Sequence, residues 1–201
     1  MTRRLLIVFV PLLAAGICLV APPAHAEKIA ATAAIRSANS RVRELLVDNK
    51  GPERVTATLR GLFDISDLAR RALVDQWEKM TPAQRTELVD TLRQIVERNY
   101  ISQLRSNLDY EIVYSGEEPA LQDGDVVVKT VIKAKRSGRP VEIPVDYVLR
   151  PEGGGWRAYD VITDDVSLLK NYRSQFNRII AKEGVPGLLH RMKAKLEDHE
   201  D

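Results

Sequence analysis

Cysteine and histidine, on which metal sites and nucleophilic catalysis often depend, are nearly absent from this chain. It has one cysteine, Cys18, and three histidines. Cys18 and His25 lie in the N-terminal segment ending at Ala26, so only His190 and His199 remain beyond it. The H-E-x-x-H and G-x-S-x-G motifs and the spacings typical of metal ligands are missing from the sequence. We therefore expect no disulfide or thiol chemistry, no metal, no cofactor and no enzymatic activity.

The chain also lacks an excess of charge of either sign. Its 30 Lys and Arg stand against 28 Asp and Glu, and Arg3 and Arg4 account for the whole difference. Without those two arginines the chain is formally neutral. The basic surface typical of nucleic-acid-binding proteins is therefore not expected.

The one long apolar run lies at the N-terminus, from Leu5 to Val20. Arg3 and Arg4 precede it, and Ala24-His25-Ala26 follows it as an A-x-A cleavage site. This order predicts a signal peptide over residues 1–26, cleaved before Glu27, and a single exported domain over residues 27–201.

The sequence disfavours two other interpretations of this run. A membrane anchor is disfavoured because Pro11 and Gly16 interrupt the run, which is also short for a membrane span. A lipoprotein attached at Cys18 is disfavoured because Ile17 stands where a small residue is usual.

Helical periodicity occupies the first half of the exported chain and its end. Thr81-Pro82-Ala83-Gln84 combines an N-cap, a proline at the first helical position and a capping-box glutamine. Ser167 is a candidate cap for a helix that Gly184 ends, and Pro186 starts another. The predicted helices cover Ile29 to Val47, Glu53 to Leu62, Ser66 towards Trp77, Pro82 to about Tyr100 or Leu104, and the segment after Ser167.

Between these helices the period changes to that of strands. Four runs alternate apolar and polar residues: Tyr110 to Ser115, Asp125 to Lys135, Val141 to Leu149, and Trp156 to Ile162. Short turns join them, and Pro144 suggests an edge or a bulge. The predicted fold class is α+β: a curved antiparallel sheet of about four strands covered by N-terminal and C-terminal helices.

The stretch Trp156 to Phe176 resembles the signature W-[KR]-x-Y-D-V-x-x-x-G-V-S-L-x-x-N-Y-R-x-Q-F of the MlaC/toluene-tolerance family of periplasmic phospholipid carriers. Asp165 replaces the glycine of that signature, at a turn position where Asp tolerates a left-handed backbone. Phe63 to Trp77 resembles the family's F-D-[FI]-x-x-[ML]-A-R-x-x-L-G-x-x-W, with Val74-Asp75 in place of its Leu-Gly pair. The capping-box helix resembles a third family segment.

The resemblance implies an apolar lipid pocket between sheet and helices, although the sequence alone favours a filled core. It implies a monomeric periplasmic phospholipid carrier that maintains the lipid asymmetry of the outer membrane. The implied partners are an outer-membrane lipoprotein–porin complex and an inner-membrane ABC transporter with a mammalian-cell-entry (MCE) domain protein. Alternatives are a carrier of another lipid such as a hopanoid, a plain interaction module, and a pocket enzyme of the ketosteroid-isomerase kind with Asp146 or Asp160 as base.

The expected lipid site consists of apolar and aromatic side chains from the predicted helices and the inward face of the sheet. They are Trp77, Leu92, Val96, Tyr100, Leu104, Val128, Ile143, Val145, Tyr147, Tyr159, Val161, Val166, Leu169, Tyr172 and Phe176. We expect Asp160, Asp164 and Asp165 to serve the turn and the helix cap rather than acid–base chemistry, and Arg173 to fix the last helix on the sheet.

A basic hairpin carries Lys133, Lys135, Arg136 and Arg139. It is read either as a solvated set that protects a sheet edge or as a docking surface for acidic partners or anionic headgroups.

Overall fold

The computed structural model describes residues 30–48, 51–106, 109–122, 124–136 and 138–197. The predicted signal peptide, His199 and the side chains of Leu104 and Arg136 lie outside the described part. The helices are α1 (Ala31–Val47), α2 (Pro52–Leu62), α3 (Ile65–Leu73), α4 (Asp75–Lys79), α5 (Pro82–Ser106) and α6 (Leu168–Glu197). The strands are β1 (Tyr110–Pro119), β2 (Val126–Arg136), β3 (Arg139–Glu152), β4 (Gly155–Thr163) and β5 (Val166–Ser167).

The sheet is an antiparallel meander in the order β1-β2-β3-β4-β5, which confirms the α+β prediction. Its fifth strand is a two-residue addition beyond the four that the periodicity indicates. Asp164 and Asp165 have φ values of 47° and 64°, the left-handed values that a two-residue hairpin turn requires. The turn pairs Thr163 with Val166 and Ile162 with Ser167, so the chain leaves the sheet directly into α6.

Pro144 lies inside β3, which pairs with β2 on one side and with β4 on the other. On the β4 side, however, Pro144 stands at a local edge of the sheet. The last pair between β3 and β4 joins Val145 to Thr163, so β4 ends level with Pro144. The Pro144 carbonyl oxygen accepts a hydrogen bond of 3.2 Å from the Asp164 amide. Since no β4 carbonyl faces the proline nitrogen, no ladder hydrogen bond is lost.

The sheet presents one face to the helices and the other largely to solvent. On the helix side, Val128 pairs with Tyr147 and Thr130 with Val145, and all four side chains are buried. On the other face, the Lys129 ammonium lies 2.7 Å from the Asp146 carboxylate. The alternation predicted for β2 is therefore confirmed.

Two helix ends follow the sequence signals closely. At the start of α5, the Thr81 amide donates to Gln84 Oε1 at 2.9 Å and the Gln84 amide donates to Thr81 Oγ1 at 3.2 Å, which is a complete capping box. Gly184 has φ 70° and breaks α6 into two helical segments, as the sequence predicts.

The turn between α2 and α3 is fastened to the sheet through Asp64. Its amide donates to the Ala158 carbonyl oxygen at 2.7 Å, and one carboxylate oxygen accepts from the Asp67 amide at 2.9 Å. The guanidinium of Arg150 on β3 pairs with the other carboxylate oxygen. Burial alone raises the pKa of Asp64, but the hydrogen bonds from Arg150 and the Asp67 amide outweigh it and lower the pKa below its usual 3.8.

Asp64 is therefore expected to make stability depend on pH in the acid range. A carboxyl whose pKa is lower in the folded than in the unfolded protein contributes its full stabilisation when the pH is above the unfolded-state pKa. That contribution is lost as the pH falls through the folded-state pKa. The free energy of unfolding should fall below about pH 4, and Asp64→Asn should make that decline shallower. Denaturant titrations at several pH values measure both slopes, and equal slopes would contradict this assignment.

Val74, between α3 and α4, adopts a backbone conformation that valine rarely occupies. Its φ is 45° and its ψ is −116°, and its side chain is 51 % exposed. The family's Leu-Gly pair aligns with Leu73 and Val74. The alignment with Val74 and Asp75 predicted from the sequence is therefore wrong by one residue. The single replacement is valine for glycine, at a position where glycine carries no steric penalty.

Val74→Gly is expected to raise the free energy of unfolding by about 1 kcal/mol, since relief of strain exceeds the added chain entropy of glycine. Val47→Gly is the matched control, because Val47 is 62 % exposed in an ordinary helical conformation. That control should destabilise the protein. Chemical denaturation curves compare the two variants, and a loss of stability in both would contradict the strain at Val74.

Candidate functional site

A cavity of about 280 Å³ lies between α5, the free edge of β4 and the start of α6. Its walls combine aromatic and aliphatic side chains that are buried or half-buried: Phe63, Val96, Tyr100, Val161, Leu168 and Tyr172. Its mouth is formed by five exposed residues: Asn99, Gln103, Thr163, Val166 and Asn171. The cavity therefore has an apolar interior and an uncharged polar rim, the arrangement expected of a site for an apolar ligand with a polar end.

The cavity brings together five of the predicted lipid-site residues. Val96 and Tyr100 come from α5, Val161 from β4, Val166 from β5 and Tyr172 from α6. Val166 is 61 % exposed, so it lies at the mouth and not beneath the sheet. The role of these side chains in lipid binding stays a prediction.

The side chain of Leu104 lies outside the described part, and the other predicted residues do not line this cavity. Leu92, Val128, Val145, Tyr147 and Phe176 are buried in the hydrophobic core. Ile143 and Leu169 are half-buried against that core. Trp77 lies on α4 with the Arg85 guanidinium 5.3 Å from its ring, and the Tyr159 hydroxyl donates to Asp125 Oδ2 at 2.9 Å.

Six lining residues were absent from the prediction: Phe63, Asn99, Gln103, Thr163, Leu168 and Asn171. Phe63 stands in the first position of the F-D motif, which could have indicated it. Asn99 and Gln103 are four residues apart on α5, and their spacing indicates only a shared helix face. From the sequence alone, their side chains cannot be distinguished from ordinary solvated amides, because the packing of α6 beside them is not known.

Asp160 joins the sheet to α6 at the edge of the cavity. Its two carboxylate oxygens accept from the Ser167 hydroxyl at 2.6 Å and from the Leu169 amide at 2.9 Å. Ser167 Oγ in turn accepts from the Lys170 amide at 3.0 Å, which is the predicted N-cap. Asp160 therefore acts at the helix N-terminus, where Asp164 and Asp165 were expected beside it. Those two residues form the hairpin turn.

A cluster of buried hydroxyl and amide groups lies behind the Tyr100 wall of the cavity. The Tyr100 hydroxyl donates to Asn39 Oδ1 at 2.9 Å, and Asn39 Nδ2 donates to the Tyr114 hydroxyl oxygen at 3.2 Å. Tyr147 is hydrogen-bonded to Asn39 and Tyr100, and burial raises its pKa to about 12. The cluster ties α1, α5, β1 and β3 together and makes this wall rigid.

Tyr172, which lines the opposite side of the cavity, differs from this cluster. Burial raises the pKa of Tyr172 to about 12, and its ring packs against Phe176 with 5.3 Å between centroids. The α5 wall is therefore held by the hydrogen-bonded cluster, whereas the α6 wall combines the packing of Tyr172 with the hydrogen bonds of its N-terminal cap.

Neither carboxylate proposed for a pocket enzyme reaches the cavity lining. Both carboxylate oxygens of Asp160 accept hydrogen bonds at the start of α6. Asp146 pairs with Lys129 on the other face of the sheet. Within the described residues, no group of three or more His, Cys, Asp or Glu could hold a metal ion. The described helices include none that is long and apolar enough to cross a membrane.

The hydrogen bond of Arg173 goes to a helix and not to the sheet on which it was predicted to fix α6. Its guanidinium donates to the Arg71 carbonyl oxygen at 2.8 Å, so it fixes α6 to the end of α3. On the basic hairpin, the Lys133 ammonium lies 3.5 Å from Glu142, and Arg139 is exposed. Lys135 is also exposed, and it has an interaction partner.

Ser167→Ala is expected to lower the free energy of unfolding by about 1–2 kcal/mol, because it removes the N-cap and the hydroxyl donor of a buried carboxylate. Ser174→Ala, at an exposed position of the same helix, should change it by less than about 0.5 kcal/mol. Thermal or urea unfolding measures the difference. Equal effects would contradict the cap as the fastening of α6.

Two comparisons with known proteins complete the description of the site. A model of the MlaC protein family matches residues 36–194. A solved phospholipid-binding protein from Ralstonia solanacearum, in complex with a phospholipid, superposes with a TM-score of 0.72 at 22% sequence identity. The superposition covers 85% of this chain and 99% of that one, which establishes the similarity of the fold.

Proposed function

The chain belongs to the MlaC family, and on that premise we propose that it carries a phospholipid whose acyl chains enter the cavity between α5 and α6. The observation that carries the proposal is a cavity with mainly apolar walls, whose lining residues are all uncharged and whose Asn, Gln and Thr side chains stand at an open mouth. Such a cavity suits acyl chains inside and a headgroup outside, because a chain leaves water while the headgroup keeps its hydration.

Energetics favour a carrier that transfers its cargo only by contact. Two acyl chains contain about 30 methylenes, and at about 0.8 kcal/mol each their transfer out of water is worth roughly 24 kcal/mol. Release into water is negligible against such a cost. Delivery therefore requires a second apolar site that meets the mouth of the cavity, and it requires no catalytic residue.

Lipid entry can use a difference between the two walls of the cavity. The hydrogen-bonded cluster holds α5, whereas the first segment of α6 is held by the Ser167 cap, by the Arg173 bond to the Arg71 carbonyl oxygen and by packing, and it ends at the Gly184 break. We propose that lipid enters as this segment of α6 moves away from α5.

The cellular setting is proposed from the signal-peptide pattern and the family together. Residues 1–26 would direct export, and the exported domain would shuttle lipid across the periplasm to maintain outer-membrane asymmetry. Its proposed partners are an outer-membrane lipoprotein–porin complex and an inner-membrane ABC transporter with an MCE-domain protein. The hairpin with Lys133, Lys135, Arg136 and Arg139 is a candidate contact for an acidic surface on either complex.

Another lipid, such as a hopanoid, would use the same apolar walls and is distinguished by identifying the cargo. The ketosteroid-isomerase alternative gains no support from the geometry, because neither candidate base lines the cavity. The family membership supports binding and transport.

Val161→Glu tests the cavity directly. Val161 lines it, whereas the adjacent Ile162 is also half-buried but points to the other face of β4. A carboxylate at position 161 would face acyl chains and lose its water, at a cost of several kcal/mol. Native mass spectrometry of the purified protein, followed by solvent extraction, should find phospholipid on the wild type and on Ile162→Glu but little on Val161→Glu.

Melting curves must show that both variants fold, since loss of lipid through unfolding would prove nothing about the cavity. Equal lipid content in Val161→Glu and Ile162→Glu would place the cargo elsewhere. A wild-type protein that carries no lipid from a Gram-negative host, and takes none from phospholipid vesicles, would overturn the proposed function.

A further inference from the structure

The first segment of α6 presents an exposed face whose only charges are positive. Its cations are Lys170, Arg173, Arg178 and Lys182, and all four are exposed. The other exposed positions on this side are small or uncharged: Asn171, Ser174, Asn177 and Ala181. Their spacing repeats by three and four over thirteen residues, so they share one side of the helix over about 20 Å. We refer to these eight residues as the cationic face of α6.

The opposite side of the same segment is buried. Tyr172 and Phe176 pack into the core, so this helix cannot insert its apolar side into another phase while the fold is intact. Large apolar side chains that are exposed in the described part of the chain are Val47, Val74, Leu121 and Val166, none of them on α6. Any partner of the cationic face is therefore held by charge and hydrogen bonds.

Carboxylates near this face stand at its two ends. Asp164 and Asp165 form the turn before α6, and Glu183 follows Lys182 but pairs with the Arg191 guanidinium at 2.7 Å. Lys170, Arg178 and Lys182 form no ion pair with a described residue, whereas Arg173 donates to the Arg71 carbonyl oxygen. All of α6 has seven Lys and Arg against two Glu, in a chain that is formally near neutral.

Two observations favour a layer of anionic lipid headgroups over a protein as the partner. The cores of protein interfaces are enriched in aromatic residues and methionine and depleted in lysine, and this face has no aromatic or apolar anchor. A cluster of four or more Lys and Arg on one helix is a sequence signature of binding to anionic lipid headgroups. The face also includes Asn171, which belongs to the mouth of the cavity.

We propose that the cationic face of α6 docks the protein on anionic membrane surfaces, with the mouth of the cavity beside the headgroup layer. This binding is peripheral and electrostatic, so it weakens as salt screens the charges. It goes beyond the carriage of lipid, because a protein without cargo would dock in the same way.

Co-sedimentation with vesicles tests the proposal. Wild-type protein is mixed with vesicles of 30 % phosphatidylglycerol in phosphatidylcholine and with vesicles of phosphatidylcholine alone, at low salt and at about 0.5 M salt. The double variant Arg178→Glu and Lys182→Glu reverses two charges at exposed positions outside the cavity lining. The matched control, Lys133→Glu with Arg139→Glu, reverses two exposed charges on the basic hairpin.

The wild type and the hairpin control should bind the anionic vesicles and release them at high salt, and neither should bind phosphatidylcholine alone. The α6 variant should bind the anionic vesicles at least tenfold more weakly, while its melting curve and its bound lipid stay as in the wild type. Three results would overturn the proposal: no binding by the wild type, which would leave an acidic protein as partner; equal binding to both vesicles; or an equal loss in the hairpin control.

Discussion

The connection between Asp160 on β4 and the first turn of α6 is the constraint on which the site depends. A helix of this length could pack against the sheet in several orientations, but the Asp160 carboxylate accepts both the Ser167 hydroxyl and the Leu169 amide. The two-residue hairpin at Asp164 and Asp165 brings these groups together by turning the chain back on β4. Because the helix starts at this edge, Leu168, Asn171 and Tyr172 come to face α5 across a gap.

That gap persists because the walls on its two sides are fastened differently. Tyr100 and Tyr147 are hydrogen-bonded through Asn39, so α5 cannot move toward α6 without leaving buried donors and acceptors unpaired. On the other side, Tyr172 and Phe176 pack against each other and against the core. This difference between the walls supports the proposal that lipid enters as the first segment of α6 moves while α5 stays in place.

Charge is distributed so that it stays out of the cavity and close to its mouth. The lining residues are all uncharged, whereas the exposed face of α6 beside them is cationic. The buried carboxylates of Asp64 and Asp67 are paired with Arg150 and Arg71. Neither arginine lines the cavity, so an apolar ligand does not have to displace these buried ion pairs.

The sequence by itself determined the element order, the antiparallel pairing and most helix ends. These features rest on local physics: the alternation of β2, the capping box at Thr81, the Ser167 cap, and the backbone freedom of Gly184. The MlaC resemblance also followed from the sequence, since its signature residues are contiguous along the chain.

Only the tertiary structure decided which apolar residues line a cavity and which fill the core. Leu92 and Val96 belong to one helix stripe, yet Leu92 is fully packed and Val96 faces the gap. Asn99, Gln103 and Asn171 became rim residues only because α5 and α6 meet there. Periodicity identifies the side of a helix that turns inward, but the space left between two packed helices depends on contacts between residues distant in sequence.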